Sequence, residues 1–302
     1  MIKKKVILIG ILSVFAVFGC KKSQDSKKET ITINFWDNEE KITAPYLDSI
    51  IASFEKNNPG VKVIRTYYSV DDIHRQFQNA SIAGSPPDVI LTTSDNTGLF
   101  VSNGLIMPLN GQFDFSQYMD NAVDAAIQDG KTWGVPNSYG NQLMLYYNTD
   151  YVKKPPRTTK DLLKLCDGII KKKTKNNSSI NMTCLEIDQS EPFWLIPFLT
   201  SYGGWPIDGH VPNLNTDTMI KTLEFIKTLK KKDYMSQECD YDCMDLKFKE
   251  GSTSMIINGD WILGAYIDSM KSKMKISVLP VNAETGIRMR PMISGKYFFI
   301  SS

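Results

Sequence analysis

Histidine is nearly absent from this chain, with two in 302 residues, His74 and His210. A nucleophile activated by an imidazole base would have to use one of them. His74 falls in a stretch patterned as a structural helix and His210 in a Gly-rich loop, so neither is read as catalytic. Gly-x-Ser-x-Gly, His-Glu-x-x-His, Gly-x-Gly-x-x-Gly and a Gly-rich phosphate loop are missing too. Acids are plentiful, which leaves a two-carboxylate glycosidase open, yet no acid pair declares itself. These gaps lower the expectation of an enzyme.

A strong charge of either sign is also lacking, since 35 Lys and Arg face 33 Asp and Glu. Nucleic acid, which selects a basic surface, is therefore not an expected partner. Nor does any apolar run suffice to cross a bilayer. The run over residues 6–19 has 14 residues, and a spanning helix needs about 20. Behind Lys3, Lys4 and Lys5 it reads as a signal peptide covering residues 1–19. The Gly19–Cys20 junction resembles a bacterial lipobox, so Cys20 is the expected lipidation site and membrane anchor. Val17 and Phe18 depart from the strict pattern, and ordinary cleavage is the alternative. Residues 20–30 are polar and read as a flexible tether.

Cysteine is scarce. Beyond Cys20 stand Cys166, Cys184, Cys239 and Cys243, an even count that permits two disulfides in an exported protein. Proximity in sequence favours Cys166 with Cys184 and Cys239 with Cys243. Metal ligation is the alternative, but neither histidine lies at ligand spacing to a cysteine. No metal and no cofactor is expected.

What is present is an alternation of strand and helix patterns. The length suits two domains. "ITINFW" alternates apolar and polar residues as a strand does. "LDSIIASFEKNNPG" puts Leu47, Ile50, Ile51 and Phe54 on one helical face and closes on Asn-Pro-Gly. A strand "VKVIRTYY", a helix carrying Ile73, Phe77 and Ala80, and a buried strand over residues 88–93 follow. This order implies a parallel sheet with right-handed crossovers, whose ligands bind beyond the carboxyl ends of the strands. That rule selects Trp36 with the acids of residues 37–40, and the turn at Ser94, Asp95 and Asn96. Farther on, "LMLYYN" reads as a strand, and a later helix is expected to bury Ile220, Leu223, Ile226 and Leu229.

Six segments in order, "FEKNNPGVKV", "GSPPDVILTTSDNTGLFVSNGLIMPL", "GKTWGVPNSYGNQLMLYYNTDYV", "EPFWLIPFLTSYGG", "FKEGSTSMIINGDW" and "KISVLPV", carry a resemblance to a known family. Residues 30–302 resemble the extracellular solute-binding proteins of bacterial ABC importers (family 1), most of all the maltose/maltodextrin-binding branch. The resemblance implies a two-lobed periplasmic-binding-protein fold of type II. Each lobe would be a mostly parallel sheet flanked by helices, with the ligand between the lobes. It further implies lobe one over residues 31–136, lobe two over 137–258, and a return to lobe one over 259–302. The family's chains run on beyond this point, so "YFFISS" is expected to be an apolar strand with nothing to cover it, its C-terminal helices missing.

The resemblance also implies a carbohydrate ligand, a permease partner in the membrane and a monomer. Sugars offer flat C–H faces to rings and hydroxyls to carboxylates and amides. Glu191, Phe193 and Trp194 match the family's Glu-Pro-aromatic-aromatic element, where the acid and first ring touch sugar. Trp194 is open to either the ligand or the core. Trp261 matches a stacking tryptophan, and Asp95 an acid after the third strand. Asn96 stands where the maltose-type pattern has Arg, and Thr92 where it has a stacking Trp, which points to a different or smaller glycan. Trp36, Glu39 and Glu40 occupy the first loop, and Tyr139 and Trp205 are expected rim rings. A binder of glycerol phosphate or another small polar solute is a second reading, and a secreted glycan-degrading enzyme a third.

Overall fold

The computed structural model describes residues 30–39, 42–175, 182–209 and 211–302. The expectations placed on the signal peptide, Cys20, Glu40 and His210 lie outside the described residues. Strand β1 (Ile31–Asp37) leads to helix α1 (Ala44–Asn57), which has a proline in its first turn and stops before Pro59. Gly60 makes the turn into β2 (Val61–Tyr67) at φ 99°, a conformation that favours glycine. Next come α2 (Val70–Ile82), β3 (Val89–Thr93), a 3₁₀ turn at Ser94–Asn96, α3 (Thr97–Ser102) and α4 (Asp120–Asp124). A small hairpin, β4 (Ile127–Gln128) and β5 (Lys131–Thr132), precedes β6 (Val135–Pro136).

The second half opens with β7 (Leu143–Asn148), α5 (Thr159–Lys175) and β8 (Thr183–Glu186). A 3₁₀ turn at Pro192–Leu195 runs into α6 (Ile196–Ser201), followed by the two-residue strands β9 (Ile207–Asp208) and β10 (Val211–Pro212). Then come α7 (Asp217–Lys231), α8 (Tyr241–Lys249), β11 (Thr253–Gly259), a 3₁₀ turn at Asp260–Ile262, α9 (Leu263–Met270), β12 (Met274–Ser277) and β13 (Lys296–Ile300).

These strands build two main sheets, ordered β2–β1–β3–β13–β6 and β12–β7–β11–β8. The expectation of mostly parallel sheets needs correction, because both are mixed. β2, β1 and β3 are parallel, as the βαβ order requires, while β13 arrives from the other lobe and runs antiparallel to β3 and β6. In the second sheet β8 is parallel to β11, but β7 is antiparallel to both of its neighbours.

The return to the first sheet also comes later than residue 259. β12 pairs with β7, and Met274, Leu279 and Met289 pack in the second lobe's core. First-sheet pairing resumes at Lys296. "YFFI" proves to be an interior strand and not an uncovered one. Tyr297 and Phe299 are wholly buried against Ile73, Phe77 and Phe100, while Phe298 packs on the opposite face with Phe35, Leu47 and Leu91. Burying a side chain of this size contributes roughly 1.5–3 kcal/mol, so β13 is central to the first lobe's stability.

Two helices bury a different stripe from the one expected. In α1, Leu47 and Ile51, four residues apart, face the sheet. Ile50 and Phe54 form the neighbouring stripe, which the narrow contact leaves exposed. In α7 the stripe of Met219, Thr222, Ile226 and Leu229 turns inward, and Ile220 and Leu223 face solvent.

The four cysteines form two disulfides in the second lobe. Cys166–Cys184 ties α5 to β8, and Cys239–Cys243 closes the turn that enters α8. This is the pairing that proximity favoured. Nearby, the buried Glu186 accepts from Lys247 (2.7 Å), Ser236 Oγ (2.6 Å) and Thr183 Oγ1 (2.7 Å), so its charge is fully compensated inside the lobe.

Candidate functional site

Two chain segments join the lobes, and they touch. Gly140 and Ser294 exchange backbone hydrogen bonds of 2.8 and 3.0 Å. Asn137 and Ser138 both donate to Lys296 O. A Cβ on Gly295 would lie 1.9 Å from Ser138 O, so only glycine lets the segments approach this closely. Each crossing segment then grips the end of a strand. On the first lobe, Ser94 N donates to Gly295 O at 2.9 Å and its hydroxyl meets that of Ser294 at 3.1 Å. On the second, Asn141 N donates to Asp260 Oδ2 at 3.1 Å. Asp95 follows Ser94 and Trp261 follows Asp260, so the crossing brings one expected site residue from each lobe to the same region.

The second lobe contributes rings. Phe193, Trp194 and Trp261 form a mutual cluster with centroid separations of 5.5, 6.1 and 6.3 Å. Trp194, open to either role in the sequence, is turned inward, and its Nε1 donates to Ile257 O at 2.8 Å. It supports the two half-buried rings, Phe193 and Trp261, rather than presenting its own face. Glu191 stands exposed two residues before Phe193, and its carboxylate has no partner among the described residues.

The turn that carries Trp261 rests on a polar network. Tyr146 donates to Gly259 O at 2.7 Å, Asn258 Nδ2 donates to Tyr266 at 3.0 Å, and Trp261 Nε1 donates to the Tyr241 hydroxyl at 3.1 Å. Burial, then the nearby Asp260 carboxylate, pushes the Tyr146 phenol well above its ordinary range, so it remains a donor. Sequence reading missed these tyrosines, whose strand and helix positions resemble ordinary core.

The first lobe contributes polar groups. Asp37 is fully buried and held by Arg65, Nε to Oδ2 at 2.6 Å and Nη2 to Oδ1 at 2.8 Å, while Arg65 Nη1 reaches Asp48 at 2.7 Å. This first-loop acid is structural. Glu39 is partnered as well, accepting from Thr43 Oγ1 at 2.9 Å and pairing with Lys296 at 3.4 Å. Lys296 also donates to Asn38 O at 2.9 Å. Trp36 lies half-buried on Tyr68, with centroids 4.5 Å apart. Asn38, 4% exposed, and Thr92, wholly buried, keep side-chain polar atoms without a partner among the described residues. Buried polar atoms are nearly always paired, and these two lie at the ends of adjacent parallel strands.

The remaining expected residues scatter. Asp95 is exposed with no partner among the described residues, and Asn96 donates to Thr93 Oγ1 at 3.1 Å. Tyr139 is half-buried in the crossing, close enough to Tyr297 for the two phenols to interact. Trp205 is 46% exposed and in no ring contact among the described residues.

A ring cluster on one sheet end, polar groups on the other and a crossing ladder between them invite comparison with known proteins. The model for the bacterial extracellular solute-binding proteins matches residues 49–301. The chain belongs to that family. Membership implies an exported protein. A galactooligosaccharide-binding protein from Bacillus subtilis (strain 168) is 25% identical over 95% of this chain and 69% of its own length. The maltodextrin-binding protein MdxE of the same organism is 25% identical over 91% of this chain and 65% of its own. The chain thus spans about two thirds of the length of these relatives. Among solved structures, the maltose/maltodextrin-binding domain MalE from Bdellovibrio bacteriovorus, bound to maltotriose, has a TM-score of 0.76 and 31% identity. The match covers 90% of this chain and 72% of that one. The GacH receptor of Streptomyces glaucescens shares the fold, with a TM-score of 0.77 at 22% identity.

Proposed function

We propose that this protein binds a sugar or oligosaccharide between its lobes and delivers it to an ABC permease. The observation that carries the reading is the placement of Phe193 and Trp261, backed by Trp194, beside the segment that leads to Asp95. Half-buried rings offer faces for sugar C–H surfaces. The exposed carboxylates of Glu191 and Asp95, with Asn38 and Thr92, supply acceptors and donors for hydroxyls. The names of the relatives, which bind galactooligosaccharides, maltodextrin or maltotriose, support the same class of ligand.

Phosphorylated solutes fit less well. Among the described residues, the cations beside Asp37 and Glu39 are Arg65, held by Asp37 and Asp48, and Lys296, paired with Glu39. A neutral glycan needs no free cation. Glu39, Glu40, Asn96, Tyr139, Trp36 and Trp205 complete the proposed rim, and Cys20 carries the proposed lipid anchor at the outer face of the membrane.

Titration with malto- and galacto-oligosaccharides, followed by tryptophan emission, tests the reading. The expected result is a saturable change with the glycan recovered intact. Steady release of cleaved sugar would establish an enzyme instead. Mass spectrometry of the mature N-terminus tests the anchor, and an unmodified Cys20 there refutes it.

A further inference from the structure

We infer that the disulfide-closed turn between Cys239 and Cys243 positions the ring cluster, with Tyr241 as the positioning residue for Trp261. The inference rests on the reading that these rings meet ligand. Cys239 lies just before the α8 cap and Cys243 in its first turn, so the S–S bond closes a loop around Asp240, Tyr241 and Asp242. Asp240 caps the helix, its Oδ1 accepting from Cys243 N at 2.9 Å. The same few residues are therefore fixed twice, once covalently and once by the cap.

The fixed turn reaches both ring-bearing segments. The Tyr241 hydroxyl accepts from Trp261 Nε1 at 3.1 Å, and its ring lies 6.0 Å from that of Trp194. On the other side, Cys239 O accepts from Gln189 N at 2.9 Å, two residues before Glu191. One turn thus sets the Trp261 ring through a side chain and the Glu191–Phe193 segment through the backbone. One side of the turn packs on the second lobe's core, where Cys239 is buried and Tyr241 and Cys243 rest against it. A cavity of about 490 Å³ opens beside the turn, lined by Gln189, Lys230, Asp240 and both cysteines among others. On this open side the disulfide and the cap hold the turn where the core does not reach.

The indole bond is also suited to this work. Trp has a single N–H donor and no acceptor, so a fixed acceptor at Tyr241 sets which way the indole edge points. Phenylalanine at position 241 would keep the ring contact with Trp194 and remove the hydroxyl, which serves Trp261 and also meets Asn258.

The test compares wild type with Tyr241→Phe, Trp261→Phe, their combination, and the double variant C239S/C243S. The first readout is the ligand-free tryptophan emission and its quenching by acrylamide. Y241F is expected to shift both and to have no effect in the W261F background. C239S/C243S is expected to shift them in the same direction. The second readout is affinity for maltotriose, which Y241F is expected to weaken about fivefold, the worth of one hydrogen bond. Thermal unfolding confirms that each variant is folded. Unchanged emission and quenching in Y241F, or in C239S/C243S, overturns the inference. Failure of the wild type to bind any glycan overturns the sugar reading instead, and the ligand-free comparison still decides whether Tyr241 sets Trp261.

Discussion

The indole of Trp261 lies directly over Gly259. A Cβ built on that glycine would sit 1.9 Å from Cζ3 and 2.1 Å from Cε3 of the ring. The glycine therefore determines where the ring can rest. Gly259→Ala is expected to swing Trp261 off its seat while leaving β11 paired. Loss of a stacked ring is worth roughly 1–1.5 kcal/mol, or about tenfold in affinity. Calorimetric titration of G259A with maltotriose should match that of Trp261→Ala. Wild-type affinity in G259A would mean that the ring is not a contact.

Thr92 offers a separation of binding from stability. Its hydroxyl is buried and has no partner among the described residues, so Thr92→Val removes no hydrogen bond seen there. Unfolding in urea is expected to show unchanged or slightly higher stability, because an unpaired buried hydroxyl costs about 1–3 kcal/mol. If the hydroxyl serves the glycan, affinity falls about fivefold in the same variant.

Asp37 and Arg65 form the opposite case. Asp37 is fully buried, and Arg65 also reaches Asp48. Arg65→Met leaves a buried carboxylate without its partner, a change that costs about 3–5 kcal/mol. Chemical denaturation measures it, and Arg65→Lys is expected to recover only part, since one ammonium cannot replace the fork.

Alkaline pH should weaken the fold through its buried tyrosines. Burial, then the neighbouring Tyr139 phenol, pushes Tyr297 up to about 12. Burial and donation to Asp167 hold Tyr234 near the same value. A group whose folded pKa is raised gives its full stabilisation below its unfolded value, about 10. That stabilisation is lost as pH rises through the folded one. The denaturation midpoint should therefore be flat below about pH 10 and fall toward pH 12. Phenolate absorbance should rise late for the buried tyrosines.

Much of this was legible in the sequence. Residue patterning located β1, α2, β3 and β7, because each pairs or packs within its own lobe. The family resemblance singled out Phe193, Trp194 and Trp261 in "EPFW" and "INGDW" as candidate ligand residues, and the structure brings their rings together. What the sequence did not reveal depends on distant neighbours. The inward turn of Trp194 is set by Ile257 O on another strand, and the direction of β13 is set by a chain arriving from the second lobe. Lys296 closing on Glu39 joins residues at opposite ends of the chain. The stripes buried by α1 and α7 were misjudged because both helices are apolar on more than one face.

The most direct measurement is calorimetric titration of the intact protein with maltotriose and a galacto-oligosaccharide, with the sugars analysed afterwards. Saturable heat with every glycan recovered unchanged is the expected result, and it should be reduced in Glu191→Gln and Trp261→Ala. Absence of heat with every glycan, or conversion of the glycan during the experiment, contradicts sugar capture between the lobes.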